Sequence, residues 1–145
     1  MPELVRSVVS RVRVYFKDRR QSPRFRVRLV FTVGLHHATN GNGSRHRPES
    51  LKGHTRDISA SGLALLLPQI HLHGHHLAAE GRELDLRLEF GGGQPIPMIV
   101  VPRRYERLDD AELGCHYLIG ARIVRIDDAD RQRYLSFLGE GLQNI

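Results

Sequence analysis

Apolar side chains change their spacing twice along this chain, and each change predicts an element. Leu4, Val5, Val8, Val9, Val12, Tyr15 and Phe16 recur at helical spacing, so residues 4–16 read as an amphipathic helix within an N-terminal extension of residues 1–18. Valine is a weak helix former, and Arg11 to Phe16 also alternate in the manner of a strand. Lys17 to Pro23 are polar and end in proline, which predicts a linker or turn. From Phe25 the period becomes two: Phe25, Val27, Leu29, Phe31 and Val33 share one side of a strand. Arg24, Arg26, Arg28, Val30 and Thr32 share the other.

Residues 36–53 show no period and are rich in Gly, Asn, Ser and His, predicting a long loop. Apolar or alternating segments follow at 62–67, 83–90, 96–105 and 116–126. They are separated by Pro68, by Gly91-Gly92-Gly93 and by Asp109-Asp110. Short strands punctuated in this way predict an antiparallel barrel or sandwich. Asp127-Asp128-Ala129-Asp130 then places acids at the positive end of a helix dipole, and the helix 128–138 would offer Tyr134, Leu135 and Leu138 to the barrel before Gly139 stops it.

Charge adds an asymmetry to this plan. The net charge of the 145-residue chain is +6, but residues 1–28 alone carry nine Lys or Arg against two acids. The basic surplus sits at the N-terminal end, where it suits an anionic partner (nucleotide, nucleic acid or membrane surface) or simply a solvated helix face. Cys115 is the one cysteine, so no internal disulfide can form, which suits a cytoplasmic location. The apolar run Gly62 to Leu67 is far short of a membrane span, and Arg11 and Arg13 interrupt any signal-peptide core after Val8-Val9.

Two short elements stand out: Arg20-x-x-x-Arg24 at the junction of linker and first strand, and Asp57-x-Ser59-x-x-Gly62 before the strand LALLLP. Separately each is ordinary, one as surface charge and the other as a turn. In this order, in a β-rich chain, they resemble the PilZ family, and the resemblance extends over residues 19–138 with RRQSPRFRV and GARIVRID in the expected places. It implies a mainly β fold: a six-stranded antiparallel barrel over 25–126, with an N-terminal helix, a linker 19–24 and a short C-terminal helix, the PilZ-like domain occupying 19–145. It also implies a cyclic di-GMP site. Arg20 and Arg24 would wrap the ligand from the linker, while Asp57, Ser59 and Gly62 would hold it on the barrel. Arginine forks can grip phosphate or meet guanine O6 and N7, and Asp57 can accept from the guanine N1–H and N2 amine. Arg19 adds a third guanidinium, which in such proteins accompanies an intercalated ligand dimer, so two ligands per chain are expected. Arg56 is expected to be an exposed strand charge.

Other features carry less. His71, His73 and His75 would share one side if extended, but a solvated turn is expected there, and no metal site. Cys115 and His116 would point to opposite faces, Ser59 and Ser61 have no identifiable His and Asp partners, and GGGQP at 91–95 lacks the lysine and helix of a P-loop. No enzyme and no cofactor are expected.

The expectation is therefore a bacterial cyclic di-GMP receptor whose basic linker closes over the ligand and repositions the N-terminal segment. The alternative is a PilZ-fold adaptor in motility or exopolysaccharide secretion that binds little or no nucleotide. A downstream protein partner of unknown identity is implied. Residues 4–16 could also serve as a homodimer face or touch a membrane surface. With no Trp, stacking platforms for nucleic acid are scarce, so nucleic acid is not an expected partner.

Overall fold

The computed structural model describes residues 23–36, 50–90 and 93–143. The expected N-terminal helix, Arg19, Arg20 and most of the expected loop 36–53 lie outside the described residues. The elements run β1 (Phe25–Arg26), β2 (Val30–Leu35), β3 (Leu51–Ile58), β4 (Gly62–Leu67), β5 (His71–Leu72), β6 (His75–His76), β7 (Leu84–Leu88), β8 (Ile96–Glu112), β9 (Cys115–Arg125) and α1 (Asp128–Gln143). Six strands close on themselves in the order β3-β2-β7-β8-β9-β4, with β4 pairing back onto β3 and every pairing antiparallel. β1 continues the line of β2 along β3. Closure removes the free sheet edges of the six strands.

The core follows the expected alternation. Phe31 and Val33 are fully buried, as are Leu63, Leu65, Leu67, Leu84, Leu86, Leu88 and Ile96, whose side chains fill the barrel. Every residue of β4 is buried, as befits a continuous apolar run covered on both faces.

β3 is the strand that periodicity does not reveal. Its positions on the core side include Gly53 and Thr55 rather than large apolar residues. Gly53 leaves the room taken by the Leu66 carbonyl and the Phe31 ring, where a Cβ would collide. Thr55, 1% exposed, repairs a gap in the neighbouring ladder: its hydroxyl donates to the Val27 carbonyl (2.6 Å) and accepts from the Leu29 N–H (2.9 Å). The Thr55 N–H in turn donates to the Leu29 carbonyl at 2.9 Å. Residues 27–29 thereby leave the regular pairing without stranding buried polar groups.

Two further expectations change. β8 does not end near residue 105 but runs to Glu112, so Asp109 and Asp110 lie within a strand. The β8–β9 turn falls instead at Leu113-Gly114, both at positive φ (50° and 81°), as a two-residue hairpin turn requires. Residues 71–76 form a small, largely exposed hairpin that turns at His73-Gly74, in keeping with the solvated turn expected there, and its register sets His71 across from His76. Finally, α1 passes through Gly139 to Gln143. Burial of Leu138 and the contact of Phe25 with α1 at Phe137 and Gly141 outweigh the low helix propensity of glycine there. Tyr134 and Leu138 pack on the barrel as expected, 1% and 5% exposed.

Candidate functional site

A bulge in β3 aims the first motif residue. Thr55 pairs with Leu65, but Asp57 pairs with Ala64, leaving Arg56 as an extra residue. Strand side chains alternate, so without this insertion Asp57 would follow Gly53 and Thr55 into the core. With it, Ile58 enters the core and Asp57 stands on the outer face beside Ala64.

There Asp57 meets Arg24 from 33 residues earlier in the chain. The Arg24 Nη1 lies 2.6 Å from the Asp57 Oδ1, with side-chain exposures of 18% and 2%. Both residues line a pocket of about 140 Å³ with Arg56, Ala64, Arg104, Tyr105, Glu106, Leu118 and Gly120. A larger groove of about 560 Å³ opens elsewhere, with Asp85, Asp127 and Asp130 as well as Arg87 and Arg125 on its walls and none of the motif residues among its lining.

Ser59 and Gly62 build the turn that carries the motif. Ser59 is fully buried, and its N–H donates to the Gly62 carbonyl at 2.8 Å. Its hydroxyl accepts from the Gly62 N–H at 3.2 Å and contacts the Gly62 carbonyl at 3.3 Å. The Ser59 hydroxyl thereby closes the β3–β4 turn. Gly62 is required for close packing: a Cβ would strike the Ala121 carbonyl on β9. Its small size thus serves the close approach of β4 and β9.

The C-terminal helix supports the same turn from behind. The Tyr134 hydroxyl donates to the Ser59 carbonyl at 2.6 Å. Burial raises the Tyr134 pKa well above its ordinary 10.0, opposed by the Arg24 charge, reinforced by Asp57 and opposed by the Ser59 hydrogen bond. Tyr134 is therefore a neutral donor whose environment includes the Arg24–Asp57 pair.

Asp57 and Arg24 are the motif residues brought together, with Ser59 and Gly62 behind them; Arg19 and Arg20 lie outside the described residues. Arg56, expected to be an exposed strand charge, is instead partly buried: it lines the pocket and approaches Glu112 at 3.5 Å. Arg104 and Tyr105 also line it and escaped the sequence reading, because R-R-Y-E on a polar strand carries no motif. His54, 9% exposed, has neither ring nitrogen hydrogen-bonded. Among the described residues no three His, Cys, Asp or Glu side chains gather as metal ligands. No helix among them is long and apolar enough to cross a membrane.

The fold and site define a small closed barrel whose incoming arginine is pinned to a carboxylate on the outer wall, above a shallow polar pocket. Residues 18–140 match the family model of the PilZ domain, and the chain belongs to that family. No curated protein matches the sequence. Among solved structures, the MrkH–c-di-GMP complex of K. pneumonia aligns with TM-score 0.64 at 22% identity, covering 86% of this chain and 52% of that one. The motility inhibitor MotI/DgrA of Bacillus subtilis aligns at 0.61 and 20% identity, covering 87% and 52%. The PilZ domain of YcgR from Escherichia coli with c-di-GMP aligns at 0.62 and 10% identity, covering 87% and 93%. The chain thus spans about half the length of MrkH and MotI.

Proposed function

We propose that this protein is a cyclic di-GMP receptor, not an enzyme, that binds the nucleotide on the outer wall of the barrel between the arm at Arg24 and the β3–β4 turn. The observation that carries the reading is the Arg24–Asp57 contact at the edge of the pocket, which joins the two halves of the expected motif. MrkH and the YcgR PilZ domain, which share the fold, are both described with c-di-GMP. In the proposed complex Arg19, Arg20 and Arg24 grip phosphate and guanine, and Asp57 accepts from the guanine Watson–Crick edge. Ser59 and Gly62 act mainly by holding Asp57 in place.

The arm makes capture a switch. Ligand contacts on both arm and barrel favour the closed arrangement, and residues 1–18 move with the arm toward a downstream protein partner. Two intercalated ligands per chain and a cytoplasmic setting complete the reading.

Isothermal titration with cyclic di-GMP, with cyclic di-AMP and GMP as controls, tests it. Saturable binding of cyclic di-GMP, lost in Arg24→Ala and Asp57→Ala variants that keep the parent's circular dichroism, is the expected result. A stoichiometry of one ligand per active chain rejects the dimer, and absence of binding by the parent rejects the receptor reading in favour of an adaptor.

A further inference from the structure

Strand register lays out a row of outward positions that crosses four strands of the barrel. Asp57 on β3 pairs with Ala64 on β4, Ala64 with Gly120 on β9, and Gly120 with Arg104 on β8. The two middle positions carry the smallest side chains, so the row has a floor at its centre and a charged residue at each end. Arg104 lies along this floor: a Cβ on Gly120 would sit 3.4 Å from both its Cγ and its Nε.

The three guanidinium groups lining the pocket are in different states. Arg24 is held by Asp57, and Arg56 lies near Glu112. Arg104 is exposed and makes no ion pair or hydrogen bond among the described residues, although Glu106 lines the same pocket. An unengaged arginine fork beside a flat floor is suited to a phosphodiester oxygen pair or to a guanine edge.

We propose that Arg104 is a ligand-contacting residue of this site, forming the jaw opposite Arg24 and Asp57 and gripping a phosphodiester of the cyclic dinucleotide across the Ala64–Gly120 floor. This deepens the receptor reading and rests on it. The pocket would then recognise its ligand from two sides of the barrel wall, with Arg24 entering on the arm and Arg104 fixed on a strand.

The test titrates cyclic di-GMP into the parent and into Arg104→Ala, Arg104→Lys, Gly120→Val, Arg24→Ala and Arg103→Ala variants, with thermal unfolding recorded for each. Arg103 is an exposed neighbour that does not line the pocket, so it controls for general loss of positive charge. Expected are at least a tenfold weakening for Arg104→Ala, partial recovery in Arg104→Lys, weakening in Gly120→Val and no change in Arg103→Ala, all with melting temperatures near the parent's. Arg104→Ala binding within twofold of the parent, while Arg24→Ala does not bind, overturns the role of Arg104 and leaves the receptor reading standing. Equal weakening in Arg103→Ala also overturns it, since the effect is then generic charge. A parent that does not bind cyclic di-GMP overturns both.

Discussion

Tyr134 donates its hydroxyl hydrogen to the carbonyl of Ser59 across 75 residues of sequence, at 2.6 Å and in a buried setting. The bond ties the C-terminal helix to the turn that follows Asp57. Changing Tyr134 to Phe removes the donor and leaves a buried carbonyl unpaired, which costs about 1–3 kcal/mol. Urea unfolding of Tyr134→Phe should show that loss, and cyclic di-GMP affinity should fall several-fold as the turn loosens. An unchanged unfolding midpoint would mean that water replaces the hydroxyl.

The same tyrosine predicts an alkaline weakness. Its folded pKa is raised, chiefly by burial, above the ordinary value of 10.0. The folded state therefore holds this proton more tightly than the unfolded chain. That contribution to stability is full below about pH 10 and declines above it, by up to about 1.4 kcal/mol per pH unit. Unfolding free energies measured between pH 9 and 11 should fall more steeply for the parent than for Tyr134→Phe.

Arg24 and Asp57 should not be equivalent when removed singly. Arg24→Ala leaves a carboxylate with 2% exposure stripped of its 2.6 Å guanidinium contact, whereas Asp57→Ala removes the charge that is the more deeply buried of the two and leaves an arginine with 18% exposure. Stripping the partner from a buried charge costs about 3–5 kcal/mol. Arg24→Ala is accordingly expected to be the less stable of the two in chemical denaturation without ligand, and the reverse order would show that Asp57 finds another partner.

Gly62→Ala separates packing from recognition. Its Cβ would meet main chain at Ala121, which cannot rotate away, so a loss of about 1–3 kcal/mol is expected from overpacking. The loss should be present without nucleotide. A variant as stable as the parent but deficient in binding would instead place Gly62 in direct contact with ligand.

Cys115 should be a sluggish thiol. It is 4% exposed, and burial, with help from the Glu112 charge, raises its pKa above the usual thiol value. Alkylation by iodoacetamide at pH 8 should be at least tenfold slower in the native protein than in denaturant.

Much of the barrel was legible because its strands advertise themselves. LALLLP and the alternation from Phe25 to Val33 depend on local pattern, and β4 appears where the pattern places it. The second stretch, expected as one strand, is split into β1 and β2 because residues 27–29 bond to Thr55 instead of continuing the ladder. β3 was hidden because its inward positions do chemistry other than apolar burial: Gly53 yields space and Thr55 mends a neighbouring strand. The end of β8 was hidden because Asp109 and Asp110 look like turn residues, while the turn itself uses Leu113 at positive φ. At the site, Arg24 and Asp57 carried a spacing that could be read. Arg104 and Gly120 are neighbours only through cross-strand register, which depends on a bulge between Pro102 and Arg104 that no linear pattern encodes.

The seating of Phe25 against Phe137 and Gly141 has an architectural consequence. It brings the chain's entry to the barrel, immediately after Arg24, alongside the last turn of α1 where the chain leaves. A domain whose entrance and exit adjoin can be spliced into a longer polypeptide without stretching either flank.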